Sequence, residues 1–216
     1  MSLNVYKIES NPQNANIVML HGYGANGKDL VGLSQVPELS KLDLNWYFLE
    51  APLNPPELAM FGGRAWFSLT LSSFNPNMNA DALEKFYAME TSEFKDSLQA
   101  IKDSIWDLDL KGKTYIGGFS QGAMMASNVF MADSNSYEGL IALSGAPLNH
   151  KKWESLDEQK PAFVSHGEQD SVLPFKCGTD LDSKLSEKGL DVKKTWFQGG
   201  HEIPMNVLQG LGDFLS

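Results

Sequence analysis

Cysteine is nearly absent from this chain. Its 216 residues hold one, Cys177, so no internal disulfide can form. A reducing compartment is expected, although a disulfide-free periplasmic chain would have the same composition. Basic excess is missing too. Lys and Arg number 17 against 27 Asp and Glu, a formal charge of −10. That balance argues against nucleic-acid binding and against electrostatic docking on anionic lipid, and it reads as solubility. No apolar run approaches the ~20 residues needed to span a bilayer. The start, MSLNVYKIES, lacks the basic n-region and apolar core of a signal peptide. A cytoplasmic protein is expected. Repeats, low-complexity tracts and an interdomain linker are lacking as well. What remains is a globular composition, 42% apolar and 20% charged. Its length suits one domain, 1–216, with ample chain for a core.

Short β-branched or apolar runs alternate with helical patterns. Val5–Ile8 suits an edge strand. Ile17–Leu20, Asn45–Leu49, Thr114–Ile116, Gly139–Leu143, Ala162–Ser165 and Val192–Phe197 suit further strands, several of them buried on both faces. Between them, Phe94, Leu98, Ile101 and Ile105 fall at spacings of four, three and four, giving Glu93–Trp106 one apolar helical face. Helices are also expected within 28–39, ended near Pro37, from about Asp81, after Gly122, over Phe175–Lys188 with Gly189 as its stop, and over Ile203–Leu215. Cys177, near the start of one of these helices, reads as a buried structural thiol. Strands alternating with helices imply an α/β fold, a mostly parallel central sheet with helices on both faces. In such sheets ligands bind beyond the carboxyl ends of the strands. Four glycine-flanked polar clusters fall at such ends: His21–Gly24, Gly118–Gly122, His166–Asp170 and Gly199–His201.

The sharpest of these is Gly118-Phe119-Ser120-Gln121-Gly122, a G-x-S-x-G turn between strand and helix. Such a turn holds its serine in strained backbone geometry. It projects the hydroxyl at a helix N-terminus, where developing negative charge is favoured. Side chains at the two flanking positions would collide with the neighbouring strand or helix. The pentapeptide alone also suits a serine in a tight loop; its setting and its partners favour the nucleophile. A serine hydroxyl needs a base, and the base needs a carboxylate. His201, after the last strand, suits the base. Asp170, at the end of the preceding strand, suits the carboxylate, with Glu168 second. The order Ser, Asp, His is that of an α/β-hydrolase. The oxyanion donors expected are the N–H groups of Gln121 and Tyr23. Among the other histidines, His21 and His166 read as loop organisers bonded to backbone, and His150 as solvent-exposed. Asp180 and Asp182 read as solvated helix residues.

HGYGANGKD, RAWF, GFSQGAMM, LSGAP, HGEQDSVLP and GGHEIP, in this order from Ile17 to the C-terminus, together resemble the carboxylesterase/acyl-protein thioesterase family of α/β-hydrolases, also called the phospholipase/carboxylesterase family. The resemblance implies Ser120, Asp170 and His201 as the triad and Tyr23 and Gln121 as oxyanion donors. It implies cleavage of carboxylic esters or thioesters without metal or organic cofactor. Substrates would be small-molecule or lipid esters, lysophospholipids or acylated proteins. The protein would be a monomer or homodimer, with transient membrane contact open to it. The loop Ala25-Asn26-Gly27 before Lys28-Asp29 is closer to bacterial members. The stretch from Ser72 to Tyr87 matches the family weakly. It is read as part of a flap at about 61–90 whose Phe74, Met78, Leu83 and Phe86 cover an acyl groove shared with Phe61, Trp66, Val172 and Leu173. For any one of these side chains, padding of the core is an equal alternative. The rival functions are another acyl-transfer enzyme, or a catalytically silent ligand-binding protein on the same fold.

Overall fold

The computed structural model describes residues 2–69 and 77–216. Phe74, read from sequence as a flap residue, lies outside them. The strands are β1 (Val5–Ile8), β2 (Asn16–Leu20), β3 (Asn45–Leu49), β4 (Thr114–Phe119), β5 (Gly139–Leu143), β6 (Lys160–Gly167) and β7 (Leu190–Phe197). They form a seven-stranded sheet in the order β1-β3-β2-β4-β5-β6-β7. β1 pairs antiparallel with β3, and the other neighbours pair in parallel. The helices are α1 (Pro37–Ser40), α2 (Pro56–Ala59), α3 (Ala80–Tyr87), α4 (Ser92–Asp107), α5 (Gln121–Ala132), α6 (Phe175–Glu187) and α7 (Met205–Leu215).

Period-two alternation splits each central strand between two cores. Val18 and Leu20 of β2, Tyr47 and Leu49 of β3, and Leu140 and Ala142 of β5 join one cluster, with the buried residues of α3 to α6. Ile17 and Met19, Trp46 and Phe48, and Ile141 and Leu143 join the other, with Val207, Leu208, Leu211 and Phe214 of α7. Burial on both faces is what makes these strands read as unbroken apolar runs.

Helix ends follow local chemistry. Asn79 caps α3 by accepting from the Ala82 N–H, and Thr91 caps α4 by accepting from the Phe94 N–H. The short helix expected before Pro37 is the 3-10 turn Val31–Gln35, which stops at Val36. Pro37 then opens α1, which the sequence pattern does not separate from it, at the first helical position, where its missing N–H costs nothing. Leu83 and Phe86 of α3, read as flap residues, are buried in the first cluster with Trp66 and Phe67. Among the described residues no helix is long and apolar enough to cross a membrane.

Candidate active site

Strands β2, β4, β6 and β7 run parallel, so their carboxyl ends share one edge of the sheet. The turn after β4 is the sharpest feature there. Ser120 has φ 56° and ψ −119°, a conformation that costs a non-glycine residue about 1–3 kcal/mol. The surroundings hold it. Its N–H donates to the Leu143 carbonyl at 2.8 Å, and its own carbonyl accepts from Ala123 and Met124. The flanking glycines are forced by space. A Cβ at Gly118 would fall 2.4 Å from the carbonyl carbon of Gly122, and one at Gly122 would fall 2.0 Å from the Leu20 carbonyl oxygen. Helix α5 therefore starts in direct backbone contact with β2 and β4.

The loop after β2 lies against the same serine. A Cβ at Gly22 would sit 3.3 Å from that of Ser120. His21 braces this loop. Its Nδ1–H donates to the Gly22 carbonyl at 2.8 Å, and its Nε2 accepts from the Ala51 N–H at 3.1 Å. Burial holds its pKa below the ordinary histidine value, against the opposing pull of the Gly22 carbonyl, so the ring is neutral. Trp66 is fully buried, and its indole Nε1–H donates to the His21 carbonyl at 2.8 Å. The Gln121 side chain completes the brace. Its Oε1 accepts from the Trp66 N–H at 2.9 Å, and its Nε2–H donates to the Phe67 carbonyl at 2.7 Å. The sequence motif shows Gln121 only as the residue after the serine; this bridge to 66–67 joins positions far apart in the chain and has no local signature. The Tyr23 hydroxyl donates to Glu57 at 2.8 Å. Burial, then that bond, pushes its pKa up to about 12.

Asp170 and His201 come from the turns after β6 and β7, and backbone bonds lace those turns together. Glu168 N–H donates to the Phe197 carbonyl and Gln169 N–H to the Gly199 carbonyl, both at 2.9 Å. Gly167 is needed for the approach: a Cβ there would fall 2.2 Å from the Gly200 carbonyl oxygen. His201 Nδ1 then lies 2.6 Å from Asp170 Oδ2. A carboxylate only accepts, so the hydrogen sits on Nδ1, and the neutral ring keeps Nε2 as an acceptor. The His201 ring packs on Phe119, the residue before Ser120, with centroids 4.8 Å apart. Among the described residues no hydrogen bond joins Ser120 Oγ to His201; in free enzymes that bond is often long and tightens with substrate.

Asp170 is buried, and burial alone would raise its pKa. Hydrogen bonds from His166, His201 and the Leu173 N–H, with the nearby His201, more than offset this and hold the carboxyl well below the usual carboxylate range. Glu168, the second candidate carboxylate, is exposed and bonded to Gln198. His166 bonds backbone as expected, at the Leu173 carbonyl, and it also reaches the Asp170 carboxylate. His150 is not solvent-exposed. It is buried between the rings of Tyr87 and Trp153, with Nδ1 bonded to the Pro147 carbonyl at 3.0 Å. Asp180 and Asp182 are half-buried and paired, the first with Tyr87 and Lys176, the second with Lys194. Of the residues read as an acyl groove, Trp66 and Leu173 are buried, Val172 is half-buried and Phe61 is 82% exposed. A cavity of about 590 Å³, lined by Trp106, Thr114 and Tyr137 among others, opens at the start of β4, away from all of these groups.

The strand order and the turn at Ser120 are those of an α/β-hydrolase. The phospholipase/carboxylesterase family model matches residues 4–216, and the chain belongs to that family. It is 30% identical to acyl-protein thioesterase 1 of Neurospora crassa, over 94% of this chain and 86% of that one. With acyl-protein thioesterase 1 of Kluyveromyces lactis it is 27% identical, over 100% and 98% of the two chains. Among solved structures it is similar to esterase PE8, with a TM-score of 0.81 at 26% identity, covering 100% of this chain and 98% of that one.

Proposed function

We propose that this chain hydrolyses carboxylic esters and thioesters through an acyl-enzyme on Ser120, with His201 as base and Asp170 as its carboxylate. The observation that carries the reading is the 2.6 Å bond from His201 Nδ1 to Asp170 Oδ2, on a ring packed against Phe119. Nε2 of that ring is free to act as acceptor. It takes the Ser120 proton as Oγ attacks the carbonyl carbon. The oxyanion is met by the N–H groups of Gln121 and Tyr23. Gln121 opens α5, so its N–H has no intrahelical partner, and the helix dipole adds to the effect. The imidazolium gives its proton to the leaving alkoxide or thiolate. Water, deprotonated by the same Nε2, then releases the acid and restores the serine. The Asp170 carboxylate stays ionised and stabilises the imidazolium.

The names of the relatives point to acylated protein or lipid as the natural acyl donor. We place the acyl chain beside Val172 and Phe61, with residues 61–90 as a flap on a single domain. Ser120→Ala tests the core of the reading. The variant should keep the fold and lose hydrolysis of p-nitrophenyl acetate, and a fluorophosphonate should label Ser120 of the wild type stoichiometrically. Full turnover by the alanine variant refutes the assignment. Rates across ester and thioester substrates of increasing acyl length then rank the acyl donors.

A further inference from the structure

We propose that His166 is a positioning residue of this site: its Nε2–H ties the Asp170 carboxylate to strand β6 and so sets the carboxylate against His201. The inference rests on the role proposed above for Asp170 and His201. His166 is fully buried near the end of β6. Nε2 lies 3.1 Å from the Leu173 carbonyl oxygen and 3.3 Å from Asp170 Oδ2. Both are acceptors, so the hydrogen must sit on Nε2 and is shared between them. One N–H thereby gathers both ends of the loop 170–173.

The other edge of the ring is closed. Nδ1 is buried without a partner, and the α6 backbone packs over it. A Cβ at Gly178 would fall 2.7 Å from Nδ1 and 2.5 Å from the His166 Cβ. The Phe175 ring meets the imidazole edge-on, centroids 6.2 Å apart. A ring flip would strand a buried N–H against helix backbone, so sheet and helix hold the Nε2–H on Asp170. Among the described residues no other side chain does this from the sheet. Asp170 Oδ1 accepts from Val172 and Leu173 at 2.8 and 2.9 Å, and those donors belong to its own loop. His201 is the group to be oriented. His166 is the anchor on a rigid element, which is what a supporting hydrogen bond needs.

A role confined to the Leu173 carbonyl would cost stability and leave turnover alone. H166F, H166L and H166Q separate the two, with kcat and KM on p-nitrophenyl acetate, a thermal melt, and the downfield proton resonance of the His201 Nδ1–H. The apolar variants remove the donor; glutamine carries an amide N–H to about the position of Nε2. In whichever apolar variant folds, kcat should fall about tenfold to a hundredfold with KM little changed. The downfield resonance should broaden or move, and H166Q should recover most of the loss. Wild-type kcat in a folded apolar variant, or an equal loss in H166Q, overturns the proposal. S120A run alongside separates the two readings. An inert S120A beside an unimpaired H166F or H166L sinks this inference alone, whereas a fully active S120A sinks the proposed function with it.

Discussion

Asp170→Asn changes one atom and tests the site at its most constrained point. Oδ1 accepts two backbone N–H groups, which cannot move their hydrogens. Oδ2 instead faces imidazoles: His201, which can change tautomer, and His166, whose Nε2–H keeps the Leu173 carbonyl. The asparagine oxygen therefore stays at the Oδ1 position. The amide NH2 then replaces Oδ2 and faces the Nδ1–H of His201, 2.6 Å away in the wild type. Two donors cannot face each other, so the imidazole takes the other tautomer, with hydrogen on Nε2. That ring cannot accept the Ser120 proton. The equivalent change in a serine protease lowers kcat about 10⁴-fold with the geometry intact, and a fall of that order is expected here. Stability should fall as well. A buried charge-assisted acceptor is lost, about 3 kcal/mol, which lowers the Tm of a chain this size by about 6–12 °C. The pH dependence has a definite sign. The folded carboxyl is held below its unfolded value, so its stabilisation is fully present above the unfolded value of ~3.9. It is lost as pH falls through the depressed folded value. Asp170→Asn should therefore show a smaller loss of stability than the wild type on acidification below about pH 4. The assays are p-nitrophenyl acetate turnover and thermal melts across pH. A variant within about tenfold of wild-type kcat would refute the tautomer argument.

Glu168→Gln should leave kcat within about twofold, because Glu168 is exposed and touches Gln198 and not His201; a large loss in ester turnover would make it the working carboxylate. Gly122→Ala should cost about 1–3 kcal/mol or fail to fold, since its Cβ would meet the Leu20 carbonyl oxygen at 2.0 Å. A thermal melt unchanged from wild type would contradict the packing described. Burial pushes the Cys177 thiol up to about 12, so iodoacetamide at about pH 8 should leave the native protein unlabelled and alkylate it fully in denaturant. Rapid labelling of the folded protein, read by intact mass, would contradict that burial.

Much of the fold was legible because local and global demands agree. Asn45–Leu49 reads as a strand in isolation and is β3 with the same bounds, since a strand buried on both faces carries its whole signal in its own residues. Glu93–Trp106 reads as a helix and lies within α4, whose apolar face packs on the core. Where a residue's role depends on partners far away in the chain, the pattern fell short. His150 sits among polar residues, yet Tyr87 and Trp153 enclose its ring. Asp180 sits on a helix flank, yet the Tyr87 hydroxyl finds it from 93 residues away. Pro37 marks two boundaries at once, the end of the 3-10 turn Val31–Gln35 and the start of α1, and the sequence shows only the first.

The candidate site shows the same division within a few ångströms. Gly118 and Gly122 announce the serine turn because their neighbours in sequence are also their obstacles in space. Asp170 and His201 stand at predictable strand ends, and the parallel sheet alone brings those ends to one edge. That placement does not yet bring two side chains within 2.6 Å. The last step is made by contacts without a sequence signature: the turns after β6 and β7 exchange backbone bonds, and Gly167 makes room for them. His166 then fixes the carboxylate from the strand side. Reading the motif therefore identifies the chemistry, while the precision that chemistry needs resides in contacts between motifs that none of them spells out.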